Sequence, residues 1–421
     1  MQIKTLPFSP SKLNEILRSH QTPFHIYDEK AIKSNANNFL NAFSWNEGFK
    51  EYYAVKANPN PYILKILHSL GFGTDCSSLP ELVLSEKCGI IGEETMFSSN
   101  DTPIEEFKKA KELNAIINLD DISHISFLEK HCGLPDTLSF RYNPGSLREG
   151  NFIIGNPIES KYGFTREQIF GGFKIIREKG VKKYGIHTFV ASNELNPNYF
   201  IDTANMMFDL AVDLKNKIDI QVDFINLSGG IGIPYELESK PVDITFVGQG
   251  IKKAYDLKIK TNGLHPVKIF MECGRFVTGP YGYLISKVIH KKNIYKTYIG
   301  LDACMAHLMR PALYKAYHHI TVVNKQDKQP NKVYDVTGSL CENNDKFAID
   351  RKLPEIEIGD ILAIHDTGAH GHAMGFNYNG KLKSSELLLQ ENGNVIEIRR
   401  AETINDYLAT LDFNKLNNCK I

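Results

Sequence analysis

The chain lacks the features that define several classes of protein. It has only seven cysteines, an odd number without paired short spacings, which argues against a disulfide framework or a zinc site and favours reduced thiols. No apolar run reaches the length of a membrane span. The first residues also lack the apolar stretch of a secretion signal, so we expect a cytoplasmic protein.

An excess of charge of one sign is lacking as well. Lysine plus arginine total 49, and aspartate plus glutamate also total 49. A balanced chain has no overall field to attract nucleic acid or an anionic membrane, so neither is expected as a partner. The apolar share of 42% and the charged share of 23% are those of a globular protein, and 421 residues favour two domains.

The first of these domains is predicted from the alternation of short apolar runs with amphipathic segments. The runs predict eight strands, near 51–56, 72–75, 95–98, 115–119, 138–142, 184–189, 223–227 and 267–272. Eight strands, each followed by a helical segment, is the count of a (β/α)8 barrel. We place this barrel at residues 30–275.

The second domain is predicted from a change of pattern after the barrel. Strand-like runs, separated by turn signals such as Asn379-Gly380, lie at 280–290, 333–338, 360–365, 385–390 and 394–399. They predict a mostly antiparallel β domain with a helical tail near 401–411. The segment 23–27 is a candidate additional strand, so this domain is assigned residues 1–29 and 276–421.

Polar residues and glycines gather where the predicted barrel strands end, which is where such barrels carry their functional groups. They are Lys56, Asp75, Arg141, His187, Ser192, the loop Ser228-Gly229-Gly230-Ile231-Gly232 and the motif Glu272-Cys273-Gly274-Arg275. Glycines after two neighbouring strands favour a phosphate site, because freed backbone amides can surround a phosphate and Arg275 can add charge. The glycine loop by itself is also compatible with a plain tight turn.

Lys56 and Glu272 indicate what would carry such a phosphate. A lysine at a strand end usually reaches solvent, but at a barrel mouth its amine can attack a carbonyl and form a Schiff base. A carboxylate opposite can keep a pyridine nitrogen protonated, although Glu272 can also form a rim salt bridge, for example with Arg275. Together they suggest an aldehyde cofactor with a phosphate tail.

These motifs and several others resemble one family. The matching stretches are YYAVKANPNPYILKIL, FGTDCSSLPEL, INLSGGIGIPY, MECGRFV, LDACMAHLMRPALYKAYHHI, GSLCENNDKF and LPEIEIGDILAIHDTGAHGHAMGFNYNG. They cover nearly the whole chain in the family's order. The chain is similar to the fold-type III pyridoxal-phosphate-dependent decarboxylases, which have an alanine-racemase-like architecture, and within them to the diaminopimelate decarboxylases.

No metal ion is expected, because no cysteines or carboxylates lie at metal-site spacing from the histidine pairs His318-His319 and His370-x-His372. The resemblance implies pyridoxal 5'-phosphate as cofactor and a role for each matching residue. Lys56 would bond to the aldehyde, Glu272 would face the pyridine nitrogen, and Cys341 would return a proton. Further cofactor contacts are implied for Asp75, His187, Ser192, Gly229, Gly230, Gly274, Arg275 and Tyr378. Substrate contacts are implied for Arg275, Arg310, Tyr314, Glu342 and Tyr378.

The resemblance also implies a reaction and an assembly. The reaction is decarboxylation of meso-2,6-diaminopimelate to L-lysine and carbon dioxide, the last step of lysine biosynthesis. Cys341 would reach the barrel of a neighbouring subunit, so the implied assembly is a homodimer with shared active sites. Independently of the family, Arg310 and Tyr314 flank Pro311 as at a helix start, where a guanidinium can hold a carboxylate or serve only as a cap.

Several positions depart from the family pattern. Where the family has H-x-H-I-G-S, residues 187–192 read HTFVAS, so either Phe189 stacks on the cofactor ring or His187 acts from a shifted position. Other departures are Ser228, Cys273, Asn343 and His370. They leave open a decarboxylase of another basic amino acid or of a carboxylated polyamine, a racemase, and a non-catalytic cofactor-binding homologue.

Overall fold

The structure, a computed structural model, describes residues 4–149 and 155–416. Within them the chain forms two compact units. The larger unit comprises Ala31–Pro234 and Ser239–Gly279, and the smaller one comprises the described residues up to Lys30, Tyr235–Glu238, and those from Pro280 on. Cys419 and the first three residues, which were part of the cysteine and secretion-signal arguments, lie outside the described residues.

The larger unit is a closed barrel of eight parallel strands. Strand β1 (Phe24–Asp28) belongs to the smaller unit, and the barrel strands are β2 (Lys50–Ala54), β3 (Gly73–Cys76), β4 (Thr95–Ser98), β5 (Ile116–Leu119), β6 (Thr137–Tyr142), β7 (Lys183–Thr188), β8 (Phe224–Asn226) and β9 (Lys268–Met271). The barrel closes where β2 pairs with β9, with Lys50 opposite Phe270. The predicted barrel and its eight strands are confirmed.

Helices cover the barrel in the order expected for this architecture. Helix α1 (Pro10–Ser19) belongs to the smaller unit. The later helices up to the end of the barrel are α2 (Glu29–Phe43), α3 (Pro61–Ser69), α4 (Leu79–Lys87), α5 (Ile104–Glu112), α6 (Ser123–Cys132), α7 (Arg166–Glu178), α8 (Pro197–Ile218), α9 (Ile244–Tyr255) and α10 (Arg275–Thr278). One helix follows each barrel strand, from α3 after β2 to the short α10 after β9. Helix α2 was not predicted; its Asn35 Nδ2 donates to the carbonyl of Phe276 at 2.7 Å, so it packs beside the end of the last strand.

The inward face of the barrel changes from apolar to polar along the strands. One layer of its core consists of Tyr52, Met96, Ile116, Phe224 and Phe270. Because side chains alternate along a strand, the residues two positions further on share this face. They are Ala54, Ser98, Asn118, Asn226 and Glu272. The carboxyl ends of the strands therefore surround a polar layer.

The smaller unit is built on a nine-stranded sheet. Besides β1, its strands are β10 (Gly282–Asn293), β11 (Thr297–Leu301), β12 (Ile320–Val322), β13 (Lys332–Thr337), β14 (Lys346–Leu353), β15 (Ile361–Ile364), β16 (Ser385–Leu389) and β17 (Val395–Arg399). Only the pairs β1–β16 and β11–β13 are parallel, so the prediction of a mostly antiparallel domain is confirmed. The segment near 23–27 does add a strand, since β1 pairs with β10 and β16.

Short helices complete the smaller unit. They are α11 (Arg310–Tyr314), α12 (Ile404–Leu408) and α13 (Phe413–Leu416). Helix α12 lies within the helical tail predicted near 401–411, and α13 follows it. The sequence analysis missed β11, β12 and β14. Among the described residues, no helix combines the length and the apolar character that crossing a membrane requires.

Candidate active site

Lys56 lies at the rim of the barrel, although not at the end of a strand. The prediction that it closes the first strand is wrong by one turn, because β2 ends at Ala54 and Lys56 sits in a 3-10 turn, Val55–Ala57. Its side chain is exposed, and its Nζ lies 5.4 Å from the centroid of the Phe189 ring. The amine is therefore accessible beside an aromatic face.

The two motifs that are far apart in sequence meet in the fold. A Cβ added to Gly274 would lie 2.5 Å from the Cβ of Ala57 and 3.3 Å from that of Ala54. The loop after β9 thus packs directly on the turn that carries Lys56, and only glycine leaves enough space for this contact. Barrel closure places the motif that follows the last strand next to the turn that carries Lys56.

Glu272 is buried and held by three donors from neighbouring strands. Its Oε1 accepts from Asn226 Nδ2 at 2.7 Å, and its Oε2 lies 3.0 Å from His187 Nε2. The hydroxyl of Ser228 donates to the same Oε2 at 3.3 Å. The carboxylate is therefore fixed by polar side chains of β7, β8 and the loop that follows β8.

The charges of this cluster follow from burial and from the partners. Burial lowers the pKa of His187 more than Glu272 raises it, so the imidazole is neutral at pH 7 and its Nε2–H donates. Burial alone would raise the pKa of Glu272, but His187, Arg141 and Asn226 outweigh it and hold this pKa below its ordinary value. Glu272 is therefore an ionised acceptor at neutral pH.

A second buried carboxyl, Asp75, faces a different environment. Burial, together with the charge of Glu272, raises the pKa of Asp75 well above its ordinary value, and Lys56 and Arg141 offset only part of this. Arg141 itself forms a buried ion pair with Asp120, with 3.0 Å between Nη1 and Oδ1. Two carboxyls of one barrel mouth thus have pKa values shifted in opposite directions.

The glycine loop after β8 has no room for side chains. A Cβ on Gly229 would collide with the carbonyl oxygen of Glu272, and one on Gly230 would collide with that of Ala191. Within the described residues, neither amide N–H of these two glycines donates a hydrogen bond. Ser228 occupies the left-handed region, with φ 60°. The loop is both a tight turn and a source of free amide donors, so the two interpretations of its sequence are compatible.

Several polar atoms of the barrel strands are left without partners. Buried side-chain atoms that find no hydrogen-bond partner among the described residues include Asp75 Oδ1, Asn118 Oδ1, Ser139 Oγ, Arg141 Nε and His187 Nδ1. Buried polar atoms are rarely unsatisfied, so this set indicates a place for a polar molecule. With an accessible amine, an ionised carboxylate and free amides, the donors and acceptors fit a phosphorylated pyridine aldehyde.

The remaining predicted residues belong to the smaller unit, apart from Ser192 and Arg275, which are half-buried residues of the larger unit. Cys341 is an exposed free thiol in the loop between β13 and β14, beside the half-buried Glu342. Buried Asp345 fixes this loop, because its carboxylate accepts the amide of Leu340 at 2.8 Å.

Arg310 opens helix α11, as predicted from the proline that follows it. It is buried, and its Nη1 lies 2.8 Å from His318 Nε2. Tyr314, at the other end of α11, and Tyr378 are both exposed. The fold thus gathers one group of predicted residues at the barrel mouth and leaves the others on the smaller unit.

Sequence reasoning missed two residues that contact the predicted ones. Asn226 donates to Glu272, and His318 contacts Arg310. A signal existed for Asn226, which lies two positions after the inward-facing Phe224 at the end of a barrel strand. No comparable signal pointed from His318 to Arg310, because a tertiary contact joins them.

Comparisons with known proteins agree with this geometry. The sequence model of the family described as pyridoxal-dependent decarboxylase, pyridoxal binding domain, matches residues 29–279. Protein TabA of Pseudomonas amygdali pv. tabaci is 40% identical over 401 residues, covering 95% of this chain and 94% of that protein. The diaminopimelate decarboxylase of Methanothermobacter thermautotrophicus is 32% identical over 397 residues, covering 94% and 92%.

Solved structures show the same likeness. The diaminopimelate decarboxylase of Methanocaldococcus jannaschii in complex with L-lysine superposes with a TM-score of 0.86 at 32% identity, covering 94% of each chain. The Helicobacter pylori enzyme with L-lysine gives a TM-score of 0.85 at 29% identity, covering 94% of this chain and 98% of that one. The resemblance identified from the motifs is confirmed.

Proposed function

We propose that this chain, which belongs to the pyridoxal-dependent decarboxylase family, converts meso-2,6-diaminopimelate to L-lysine and carbon dioxide. Its cofactor is pyridoxal 5'-phosphate, and it is an amino-acid decarboxylase. The substrate is the proposed part. Relatives named diaminopimelate decarboxylase are 32% and 33% identical, whereas TabA, at 40%, has a name that states no substrate.

The observation that carries the reaction type is the ionised, triply held Glu272. When bound, the cofactor supplies an electron sink for the electron pair left by a departing carboxylate. Glu272 would face the ring nitrogen and keep a proton on it, since the pKa of this carboxyl lies below its ordinary value. Neutral His187 orients that carboxylate by donating from Nε2.

Other residues would hold the rest of the cofactor. Lys56 would bind the aldehyde carbon through its exposed amine. The phosphate would be bound by the amides of the glycine loop, with Gly274, Arg275 and Tyr378. Because His187 is engaged with Glu272 and Phe189 lies beside the Lys56 amine, Phe189 would be the residue that faces the ring. A phenyl ring adds apolar contact there but exchanges no proton.

The proton that replaces carbon dioxide would come from Cys341. Its thiol is exposed in this chain and lies on a loop that Asp345 anchors, so the thiol is accessible on a segment of defined backbone. We place its action in the barrel of a second subunit, within a homodimer that shares its active sites. In the same assembly Arg310, with Tyr314, Glu342, Tyr378 and Arg275, would contact the far end of the substrate.

The substrate assignment depends on Arg310. A guanidinium can hold a carboxylate with two parallel hydrogen bonds, so Arg310 favours a substrate with a second carboxylate. The second candidate is another basic amino acid or a carboxylated polyamine. It is favoured by the departures at Phe189, Asn343 and His370.

One experiment separates these candidates. Cofactor-loaded protein is incubated with meso-diaminopimelate, L-lysine, L-ornithine and L-arginine, and both carbon dioxide and amine products are measured. We expect carbon dioxide and L-lysine from diaminopimelate alone. Faster release from a simple diamino acid would overturn the substrate assignment. Loss of optical purity without carbon dioxide would indicate a racemase instead.

A further inference from the structure

Two contacts within the smaller unit fix the guanidinium of Arg310. Arg310 is only 3% exposed. Its Nη1 lies 2.8 Å from His318 Nε2, at the edge of the guanidinium. Its Cζ lies 4.3 Å from the centroid of the Tyr235 ring, which covers one face. An edge contact and a face contact together set both the direction and the plane of a planar cation.

The hydrogen-bond partners of His318 determine its tautomer. Its Nδ1 lies 2.8 Å from the carbonyl oxygen of His365. Because a carbonyl oxygen only accepts, Nδ1 carries the hydrogen, and the lone pair of Nε2 accepts from the N–H of Arg310. The imidazole is therefore neutral and serves as an acceptor for a cation.

His318 is itself held from two sides. Its carbonyl oxygen accepts from Arg351 Nη1 at 2.8 Å. Its ring meets Tyr235 edge-on, with 5.1 Å between the centroids. Since both its backbone and its ring are fixed, His318 can transmit a defined position to Arg310.

We propose that His318 is a positioning residue that makes the enzyme selective for amino acids with a second carboxylate. This rests on the proposed function, in which Arg310 binds that carboxylate. A guanidinium whose plane is already set forms two parallel hydrogen bonds to a carboxylate, whereas one that rotates must first lose that freedom. Loss of the His318 acceptor therefore raises KM for such a substrate and leaves kcat nearly unchanged, because the residues assigned to the chemical steps are not altered.

A pair of substitutions separates the two hydrogen bonds of His318. In His318→Gln the amide reaches the place of Nε2 and can still accept from Arg310. In His318→Asn the shorter amide reaches only the place of Nδ1, where it can donate to His365. With cofactor-loaded protein and meso-diaminopimelate, we expect His318→Asn to raise KM about tenfold or more, and His318→Gln to stay within about threefold.

The accompanying measurements exclude a general structural effect. In both variants kcat and the visible absorbance of the bound cofactor stay close to the wild-type values. Equal KM in the two variants, or a loss of kcat at unchanged KM, would overturn the inference. Wild-type protein that releases no carbon dioxide from diaminopimelate would overturn the proposed function and this inference together. An active wild type with an unaffected His318→Asn variant overturns only the inference.

Substitutions at Tyr235 provide a second test should the asparagine variant not fold. Tyr235→Phe keeps the ring face under the guanidinium, whereas Tyr235→Leu removes it. We expect the leucine variant to raise KM about fivefold or more and the phenylalanine variant to leave it within about twofold. The same KM in both variants would contradict the role of a fixed guanidinium plane.

Discussion

In the barrel unit, buried polar atoms on the strands lack partners within the described residues, whereas buried histidines of the smaller unit have them. The unpartnered atoms include Asp75 Oδ1 and His187 Nδ1. The partnered histidines are His25, His307, His318, His365 and His372. The barrel strands thus leave polar side-chain atoms unpartnered among the described residues, whereas these five histidines hold the smaller unit's own structure together.

The two units also differ in how burial affects their titratable groups. In the barrel, burial raises the pKa of Glu51 and Asp75 well above the ordinary value. In the smaller unit, burial lowers the pKa of His25 and His365 to about 3 and that of His307 to about 4. Burial therefore disfavours the charged form of both kinds of group, and acid acts on them in opposite ways.

The largest expected effect tests the barrel as the ligand-binding unit. Lys56→Ala should abolish the visible absorbance of an enzyme-bound cofactor and lower kcat by at least about 10³-fold, because no other amine replaces the nucleophile. Absorbance spectra and carbon dioxide release measure both. Lys65→Ala, at an exposed position of α3, is the matched control. Cofactor absorbance that survives in the Lys56 variant would contradict the assignment.

The next effect tests the histidines of the smaller unit. In the unfolded chain these side chains titrate near pH 6.5, so below that pH the unfolded state binds more protons and the free energy of unfolding falls. Between pH 7 and pH 5.5, His25, His307 and His365 together should remove about 4 kcal/mol. Asp366 offsets about 1 kcal/mol of this loss. Burial raises its pKa to about 6, so over this pH range its carboxylate takes up a proton in the folded protein but not in the unfolded chain.

Hydrogen exchange and urea unfolding at these two pH values measure the acid effect. We expect amides of β10, β15 and β16 to lose more protection than those of the barrel strands. His365→Gln should lower, by about one, the number of protons that the chain takes up on unfolding near pH 5.5. If amides of the barrel strands lost more exchange protection at pH 5.5 than those of the smaller unit, the barrel would be the acid-sensitive unit and the prediction would be wrong.

A smaller effect distinguishes the barrel's two kinds of buried carboxyl. Glu272→Gln should lower kcat about 10²-fold, because a neutral amide cannot hold a proton on a facing nitrogen. Glu51→Gln is the matched control. Burial raises the pKa of Glu51 and so favours its neutral form, which glutamine resembles, and kcat should stay within about threefold. Equal losses in the two variants would show that burial, not charge, matters at Glu272.

The smallest effect concerns the backbone of the glycine loop after β8. Ser228 has φ 60°, a region that glycine adopts without a steric penalty. Ser228→Gly should therefore be more stable than Ser228→Ala by about 1 kcal/mol in urea unfolding, although both lack the hydroxyl that contacts Glu272. An alanine variant as stable as the glycine variant would indicate that the loop relaxes.

Sequence reasoning performed unequally on the two units for a physical reason. Barrel strands are buried on both faces and appear as apolar runs, so all eight were predicted. In the smaller unit, β12 has three residues, β11 contains Gly300, and β14 is partly exposed, so none of them gives a clear pattern. Strand signals weaken where a strand is short or faces solvent.

The residues of the candidate site were likewise predictable in part only. Lys56 and Glu272 could be found because strand ends in a barrel face a common mouth. The hydrogen bond from His187 to Glu272 could not be predicted, and the sequence left His187 and Phe189 as alternatives. The contacts of His318 and Tyr235 with Arg310 arise from tertiary packing of segments far apart in the chain, which no local pattern encodes.

The contact of Gly274 with Ala57 has a consequence for synthesis of the protein. Lys56 leaves the ribosome more than two hundred residues before Glu272. Until β9 pairs with β2, the nascent chain has Lys56 but neither Glu272 nor the loop that packs on the turn carrying Lys56. We therefore expect a chain that stops before β9 to be unable to retain the cofactor, so that loading follows translation of the whole barrel.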